Sequence, residues 1–536
     1  MERFFNTAGP QQADIHYTID PLHRFDLDDV LMLVRQRKYF VLHAPRQTGK
    51  TSCMLALRDL LNREGDYIAV YTNVEGGQAS RDNVGNVVKA TVGTIALRVS
   101  QIIGDNHLVE QIRESVMEEA PDSMLAAFLA RLSEALPKPL VLIIDEIDAL
   151  VGDSLVSVLR QIRSGYEKRP AHFPNSIILC GVRDVRDYRI QTTGKDIVTG
   201  GSAFNIKSES LRLGNFTPEE VHELYLQHTA ETGQRFDEAC FPLLWNATEG
   251  QPWLVNAVGY EVTVKIKENR DRSIVITPDM IERAIENIIY RRDTHIDILI
   301  DKLREPRVRR VIEPILANNE EPDESKMSDE DIQYVKDMGL VVKERGKPMR
   351  ISNAIYREII PRELTASTQQ QLTQQPQWYQ REDGGIDMEK MLMAFQQFFR
   401  QNSDSWIGRF DYAEAGPQLL LQAFLQRVVN GGGYIDREYG LGRKRTDLLI
   451  RKPLGGTPGN TVQRVVMELK VKRLKDGMDS LLADGLRQTA EYMDLVCSVD
   501  EGHLIIFNRD GQLSWDERIW HRPMHYNGTP ITVWGM

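Results

Sequence analysis

The sequence predicts an α/β protein in two parts. A parallel sheet flanked by helices, closed by a helical and winged-helix lid, comes first, and a separate α/β block follows it. Three observations carry this reading. Between residues 26 and 300, short apolar runs alternate with amphipathic stretches, the pattern of strands and crossover helices. Residues 365–385 are polar and Gln-rich, with too few branched apolar side chains to pack. Residues 386–536 then regain the aromatic and aliphatic content of a core. At 536 residues, two to four domains are expected.

The strands read off in order. Tyr39-Phe40-Val41-Leu42, Tyr67 to Tyr71, Leu140 to Ile144 and Ser176 to Cys180 are short apolar runs, and helical stretches such as 51–64 and 154–167 separate them. From about 217 to 290 the chain reads as helical. Thr217-Pro218-Glu219-Glu220 supplies an N-cap, a proline at N1 and acids in the first turn. Residues 295–364 read as a winged-helix module. A helix over Val308 to Leu316 precedes one led by Ser328-Asp329-Glu330, and wing strands lie at Gly339–Val342 and Met349–Ile351. The expected boundaries are 1–215 for the sheet core, 216–294 for a helical lid, 295–364 for the winged helix, 365–385 for a linker and 386–536 for the second block.

Composition narrows the class. Hydrophobic content of 41% and charged content of 27% suit a soluble globular chain. No window approaches a membrane span, and Met1 to Asn6 lacks the start of a signal peptide. Cys53, Cys180, Cys240 and Cys497 are scattered, which argues for a reducing compartment and against zinc. A cytoplasmic protein with no membrane partner is expected. The net charge of −11 is uneven, because residues 441–475 hold ten Lys/Arg against Asp447 and Glu468. Such a field suits a phosphate backbone, and equally a solvated surface.

The chemistry begins at Ala44-Pro45-Arg46-Gln47-Thr48-Gly49-Lys50-Thr51, which follows a strand and opens a helix. Backbone N–H groups at a helix N-terminus can wrap phosphates there. Lys50 is placed to meet the β and γ phosphates, and Thr51 to offer its hydroxyl to Mg²⁺. Ala44 stands where the usual pattern has glycine, which is compatible with a negative φ. About 90 residues on, Leu140 to Ile144 ends in Asp145-Glu146. Asp145 is expected to hold the Mg²⁺ shell and Glu146 to polarise the attacking water. ATP with Mg²⁺ is the expected cofactor pair. Arg183, with Asp184 and Arg186, follows the fourth strand, where a residue sensing the γ phosphate or a surface ion-pair turn would each fit. Gly250-Gln251-Pro252-Trp253 begins a helix.

With the loop and the acid pair, the Gly250/Pro252 motif resembles the STAND-like and archaeal-type AAA ATPases. That resemblance implies that Pro252 packs near the adenine, that the winged helix completes the lid, and that nucleotide state controls an attached effector. It also allows assembly into a homo-oligomer, although the sequence shows no convincing arginine finger.

A second site lies downstream. Asp447 falls on one apparent strand, and Glu468 and Lys470 on the next, across a Gly/Pro-rich turn at 453–460. Period-two alternation puts Glu468 and Lys470 on one face. Carboxylates that can hold Mg²⁺, with an ammonium beside them to position and deprotonate water, are what phosphodiester hydrolysis needs. An exposed charged hairpin has the same pattern. The D-x₂₀-E-x-K spacing resembles the PD-(D/E)xK nuclease superfamily, and Gln488-x-x-x-Tyr492 matches a helix that some members carry beside the site. By resemblance the block is restriction-endonuclease-like, Asp447 and Glu468 are metal ligands, and Gln488 is a site residue. The preceding helix, Glu414 to Val428, is where a further acid is expected.

The combined expectation is an ATP-controlled, Mg²⁺-dependent nuclease acting on nucleic acid. DNA is favoured by resemblance, and a bacterial genome-defence setting would fit. Two rivals remain: a nucleotide-dependent binding or signalling protein with a non-catalytic nuclease fold, and a DNA-translocating motor.

Overall fold

The computed structural model describes residues 2–80, 83–184, 189–191, 197–199, 204–291, 301–317, 327–364, 379, 381–407, 421, 424–425, 434–441, 444–454, 462–472, 477–496, 498–508 and 513–536. The chain divides into two compact units. One comprises 1–291 with 333–340, and the other 292–332 with 341–536.

In the first unit the four expected strands form as β1 (Tyr39–His43), β2 (Ile68–Asn73), β3 (Leu140–Asp145) and β4 (Ser176–Gly181). A short hairpin, β5 (Arg189–Gln191) and β6 (Ile197–Thr199), precedes β7 (Lys207–Arg212). The five-stranded sheet runs β2-β3-β4-β1-β7, and every pairing is parallel. Strand β7 escapes a reading from apolar runs because an edge strand needs no second buried face, and Lys-Ser-Glu-Ser-Leu-Arg is largely polar.

Helices cover both faces. Helices 84–103, 121–135 and 152–164 bury Val92, Phe128 and Leu159 against Val70, Leu142 and Ile177. Helices 27–35 and 50–64 bury Val34, Met54 and Leu57 against Phe40, Leu42 and Ile143. Each such side chain contributes roughly 1.5–3 kcal/mol. The expected 154–167 helix runs Gly152–Ser164, followed by a separate 3₁₀ turn at Tyr166–Lys168 beyond Gly165.

The helical segment opens as expected. Thr217 caps helix Pro218–Thr232 in a reciprocal box, with Glu220 N donating to Thr217 Oγ1 (3.2 Å) and Thr217 N to Glu220 Oε2 (2.7 Å). Helices Cys240–Thr248, Pro252–Tyr260 and Pro278–Arg291 follow.

The next residues form helix Pro306–Ala317, helix Asp329–Asp337, and an antiparallel pair of two-residue strands, β8 (Val341–Val342) and β9 (Arg350–Ile351). The two helices and the strand pair fall where the sequence predicts them. Of the linker, 365–378 and 380 lie outside the described residues, as does most of the Glu414 to Val428 stretch.

The second unit is built on a six-stranded mixed sheet. Its strands are β10 (Tyr434–Leu441), β11 (Lys444–Pro453), β12 (Val462–Lys472), β13 (Glu501–Asn508), β14 (Trp520–Tyr526) and β15 (Thr529–Gly535), in the order β10-β11-β12-β13-β15-β14. Helix Met388–Ile407 packs Leu392, Phe395 and Phe399 on one face, against Val465, Met467 and Phe507. Helix Met478–Leu495 packs Leu486 and Ala490 on the other, against Leu504 and Ile506. Among the described residues, no helix is long and apolar enough to cross a membrane.

Candidate functional site

Two strand ends build the first site. Strand β1 delivers the loop 44–51, and β3 delivers Asp145 and Glu146 at the same carboxyl edge of a parallel sheet, where ligands of open α/β sheets bind. Ala44 is buried and is not among the residues of positive φ, so the missing glycine costs the loop nothing. The left-handed positions fall instead on Gln47 (φ 58°) and Gly49 (φ 92°), which turn the chain into helix Lys50–Glu64. The free N–H groups of that first turn form an anion cradle. Lys50 Nζ donates to Ala44 O (2.9 Å) and Pro45 O (3.0 Å), and Thr48 Oγ1 donates to Pro45 O (2.8 Å), so the loop's own carbonyls hold its polar side chains. Arg46 is exposed at the rim.

Asp145 is fully buried, yet three donors satisfy it. Thr51 Oγ1 (2.8 Å) and Tyr71 Oη (2.7 Å) donate to Oδ2, and Glu146 N (2.8 Å) donates to Oδ1. The hydroxyl and the carboxylate that would hold Mg²⁺ therefore already meet, and this all-oxygen donor pair suits a hard cation. Glu146 takes a left-handed conformation (φ 56°, ψ 40°), an uncommon state for a non-glycine residue. Burial, then Asp148 and Asp145, raises its carboxyl pKa, against the opposing pull of Lys50 and Arg46.

Tyr71 was not legible as a site residue, because nothing local marks it. Its signal is that it sits on β2 two residues before Asn73, which pairs with Asp145. Arg183 lies two residues beyond β4. Its guanidinium lies over Tyr334 (4.8 Å) and 4.0 Å from Asp337, in helix Asp329–Asp337. That helix ends at the loop's rim, where a Cβ on Gly339 (φ +75°) would come within 2.8 Å of Pro45 Cγ. Arg186 lies outside the described residues.

Pro252 starts its helix behind a Gln251 cap, whose side chain accepts from Leu254 N at 2.6 Å. With Gly49, Cys53 and Trp253 it lines a cavity beside the loop. Burial pushes the Cys53 thiol up to about 11, so this wall is unreactive. Arg24 closes the same side, donating to Thr48 O (3.3 Å) and Gly214 O (2.5 Å) and lying over Phe216 (4.4 Å). Nothing local in the sequence marks Arg24.

The second site lies within the second unit. Strands β11 and β12 are antiparallel, pairing Leu448 with Met467 through Pro453 with Val462, and one step past that register sets residue 447 across from 468. The side chain of Asp447 lies outside the described ones. Glu468 and Lys470 share a face as expected. Lys470 Nζ is 3.1 Å from Glu468 Oε1, and Glu468 is only 2% exposed. Gln488 Oε1 accepts from Lys470 Nζ at 2.5 Å, from the helix expected to carry it. Asp484, one turn earlier, completes the surround. It is 3.8 Å from Lys470 Nζ, accepts from Gln488 Nε2 (3.2 Å), and pairs with Arg487 (2.5 Å). Sequence reading missed it, although its i−4 spacing from Gln488 was available. Tyr492 packs instead beside Leu449, Val466 and Val496.

The loop, the acid pair and the parallel sheet define an AAA-type P-loop ATPase domain. A protein-family model described as an AAA domain matches residues 34–188. Among solved structures, the Walker-type ATPase of Pyrococcus abyssi is similar at 13% identity and a TM-score of 0.44, over 66% of this chain and 99% of its own. Cdc6p from Pyrobaculum aerophilum is 13% identical, with a TM-score of 0.35, over 67% and 96%. The RuvB Holliday junction branch migration motor of Thermotoga maritima is 12% identical, with a TM-score of 0.32, over 62% and 95%. TM-scores this low leave the domain assignment to the family match and the site. No curated protein matches the chain.

Proposed function

We propose that this chain is an ATP-controlled, Mg²⁺-dependent nuclease. The AAA-type domain binds ATP, with Lys50 on the β and γ phosphates, Thr51 and Asp145 on the cation, and Glu146 orienting water for slow turnover. The second unit cuts nucleic acid, with DNA as the favoured substrate. Asp447 and Glu468 would hold its cation, and the metal would supply charge stabilisation at the scissile phosphate.

The observation that carries the nuclease reading is the convergence of Glu468, Lys470 and Gln488 from a strand and a helix about a single ammonium. Glu468 is a buried carboxylate beside that ammonium, at the edge of a hairpin that brings a second acid to the opposite register position. Lys470 is positioned to orient water or the phosphate, and Gln488 and Asp484 hold its Nζ in place.

Control by ATP is supported by the helix that ends against Pro45. Residues 333–340 pack with the AAA-type unit, and the chain continues from them directly into residues of the second unit. A nucleotide that moves the loop would be felt by that segment. The domain boundaries 1–215, 216–294, 295–364, 365–385 and 386–536 remain the working division.

The test is DNA cleavage by the purified chain with ATP and Mg²⁺. Cleavage is expected to fall at least a hundredfold in Glu468→Ala and Lys470→Ala, and to lose its ATP dependence in Lys50→Ala. Several DNA forms left uncut by the parent, with salt-sensitive binding, would instead make the chain a nucleotide-dependent binding protein.

A further inference from the structure

The cavity beside the loop is lined by both polar and apolar side chains. The N-terminal segment forms one wall, tied to the core by Gln11 N donating to Ser52 Oγ (3.0 Å). Helix Pro252–Tyr260 forms another, tied to the same segment by Trp253 Nε1 donating to Thr7 O (2.9 Å). Ile19, Phe216, Leu224 and Pro252 give the cavity apolar surfaces, and Gln47 and Gly49 connect it to the phosphate loop.

Two side-chain amide oxygens in this lining, Asn256 Oδ1 and Gln11 Oε1, are buried and have no hydrogen-bond partner among the described residues. A buried acceptor left unmade carries its whole desolvation cost, so it calls for a donor. Asn256 is only 2% exposed, and its amide orientation is settled by its own helix. Nδ2 donates to Pro252 O at 2.8 Å, which leaves the oxygen as the atom it can offer. Gln11 comes from a different segment, and among the described residues no hydrogen bond reaches its side-chain oxygen.

We infer that Asn256 is the base-selecting residue of the nucleotide site, accepting a hydrogen bond from the 6-amino group of adenine, with Gln11 as a second amide at the base edge. This rests on the nucleotide-binding reading above. An occupant attached to phosphates at the loop and lying between apolar faces is a nucleobase. A fixed acceptor favours the 6-amino group, whereas a 6-oxo purine would set oxygen against oxygen. Gln11, free to present an acceptor and a donor side by side, matches the amino and ring-nitrogen edge of adenine, the pairing that glutamine and asparagine make with that base elsewhere.

The test is calorimetric titration of the full chain with ADP, purine riboside diphosphate (hydrogen at position 6), IDP (oxygen at position 6) and GDP, each with Mg²⁺. Diphosphates keep turnover out of the measurement. ADP is expected to bind about tenfold tighter than purine riboside diphosphate, the worth of one hydrogen bond, with IDP and GDP weaker still. Asn256→Leu, of similar volume, is expected to bring ADP and purine riboside diphosphate within about twofold of each other. Gln11→Met provides a second variant that does not touch the helix, with a smaller loss of discrimination expected. Equal binding of ADP and purine riboside diphosphate to the parent overturns this inference and leaves nucleotide binding standing. Discrimination that survives in Asn256→Leu overturns the assignment to Asn256, and tighter GDP than ADP overturns the choice of base. No binding of any of the four overturns the nucleotide reading itself.

Discussion

Replacing Tyr71 by phenylalanine removes one hydroxyl from the Asp145 carboxylate and leaves the ring in place. The ring is packed among Met54, Leu57 and Ile143, so the substitution makes no cavity of consequence. What goes is a 2.7 Å bond to an anionic oxygen with no solvent to replace it. Hydrogen bonds to charged groups contribute about 1.5–3 kcal/mol. Thr51 Oγ1 and Glu146 N still serve the carboxylate, so the lower end applies, about 1.5–2 kcal/mol. In a unit of this size that is a fall in Tm of roughly 2–3 °C. The carboxylate is also freer to rotate away from Thr51, so affinity for Mg·ADP should drop about tenfold, and affinity for ADP in EDTA should hold. Thermal unfolding and titration with and without Mg²⁺ read both effects. A Tyr71→Phe protein that melts with the parent and binds Mg·ADP equally well would refute the claim that Tyr71 positions Asp145.

Two further predictions concern the helical segment. Gly250→Ala should destabilise the first unit by about 2–3 kcal/mol, combining left-handed strain at φ +69° with loss of the Phe216 N to Gly250 O bond. The added Cβ would lie 2.1 Å from Phe216 O, so a Tm within a degree of the parent would show that this turn gives way more easily than its packing implies. The second concerns pH. Burial lowers the pKa of His228, whose Nδ1 meets Tyr17 Oη (3.1 Å) and whose Nε2 meets Gln234 Oε1 (2.9 Å). The unfolded chain then takes up this proton first as pH falls. The stability contribution is full above about 6.5 and is lost as pH drops through the lowered folded value. Tm should therefore decline from pH 7 to pH 5 more steeply in the parent than in His228→Gln. Parallel slopes would assign the acid sensitivity to other groups.

Local patterns in the chain were enough to determine a good deal. A buried apolar run followed by a turn and Gly49-Lys50-Thr51 specifies a strand, a phosphate loop and a helix N-terminus within a dozen residues. Leu140 to Ile144 ending in Asp145-Glu146 specifies a central strand with acids at its mouth. Thr217 with Glu220 encodes its own cap, and alternation alone puts Glu468 and Lys470 on one face. In each case the partners are neighbours in sequence, so short-range geometry decides the outcome.

Only the tertiary structure could supply the rest. Tyr71 meets Asp145 across 74 residues because β2 and β3 are adjacent and in register. Asp337 and Tyr334 reach Arg183 from a helix about 150 residues downstream, and Gln11 and Asn256 line one cavity from distant ends of the first unit. Strand β7 forms without an apolar run because the β1 edge supplies its hydrogen bonds. None of these residues carries a local signature, since a hydroxyl, an amide or a carboxylate acquires its role from the donor or acceptor that the chain's topology places beside it. The sequence determined that an anion-binding loop and an acidic strand end exist. The fold decided which side chains hold those acids in place and which amides wait at the cavity wall, because burial turns an ordinary polar contact into one that must be satisfied.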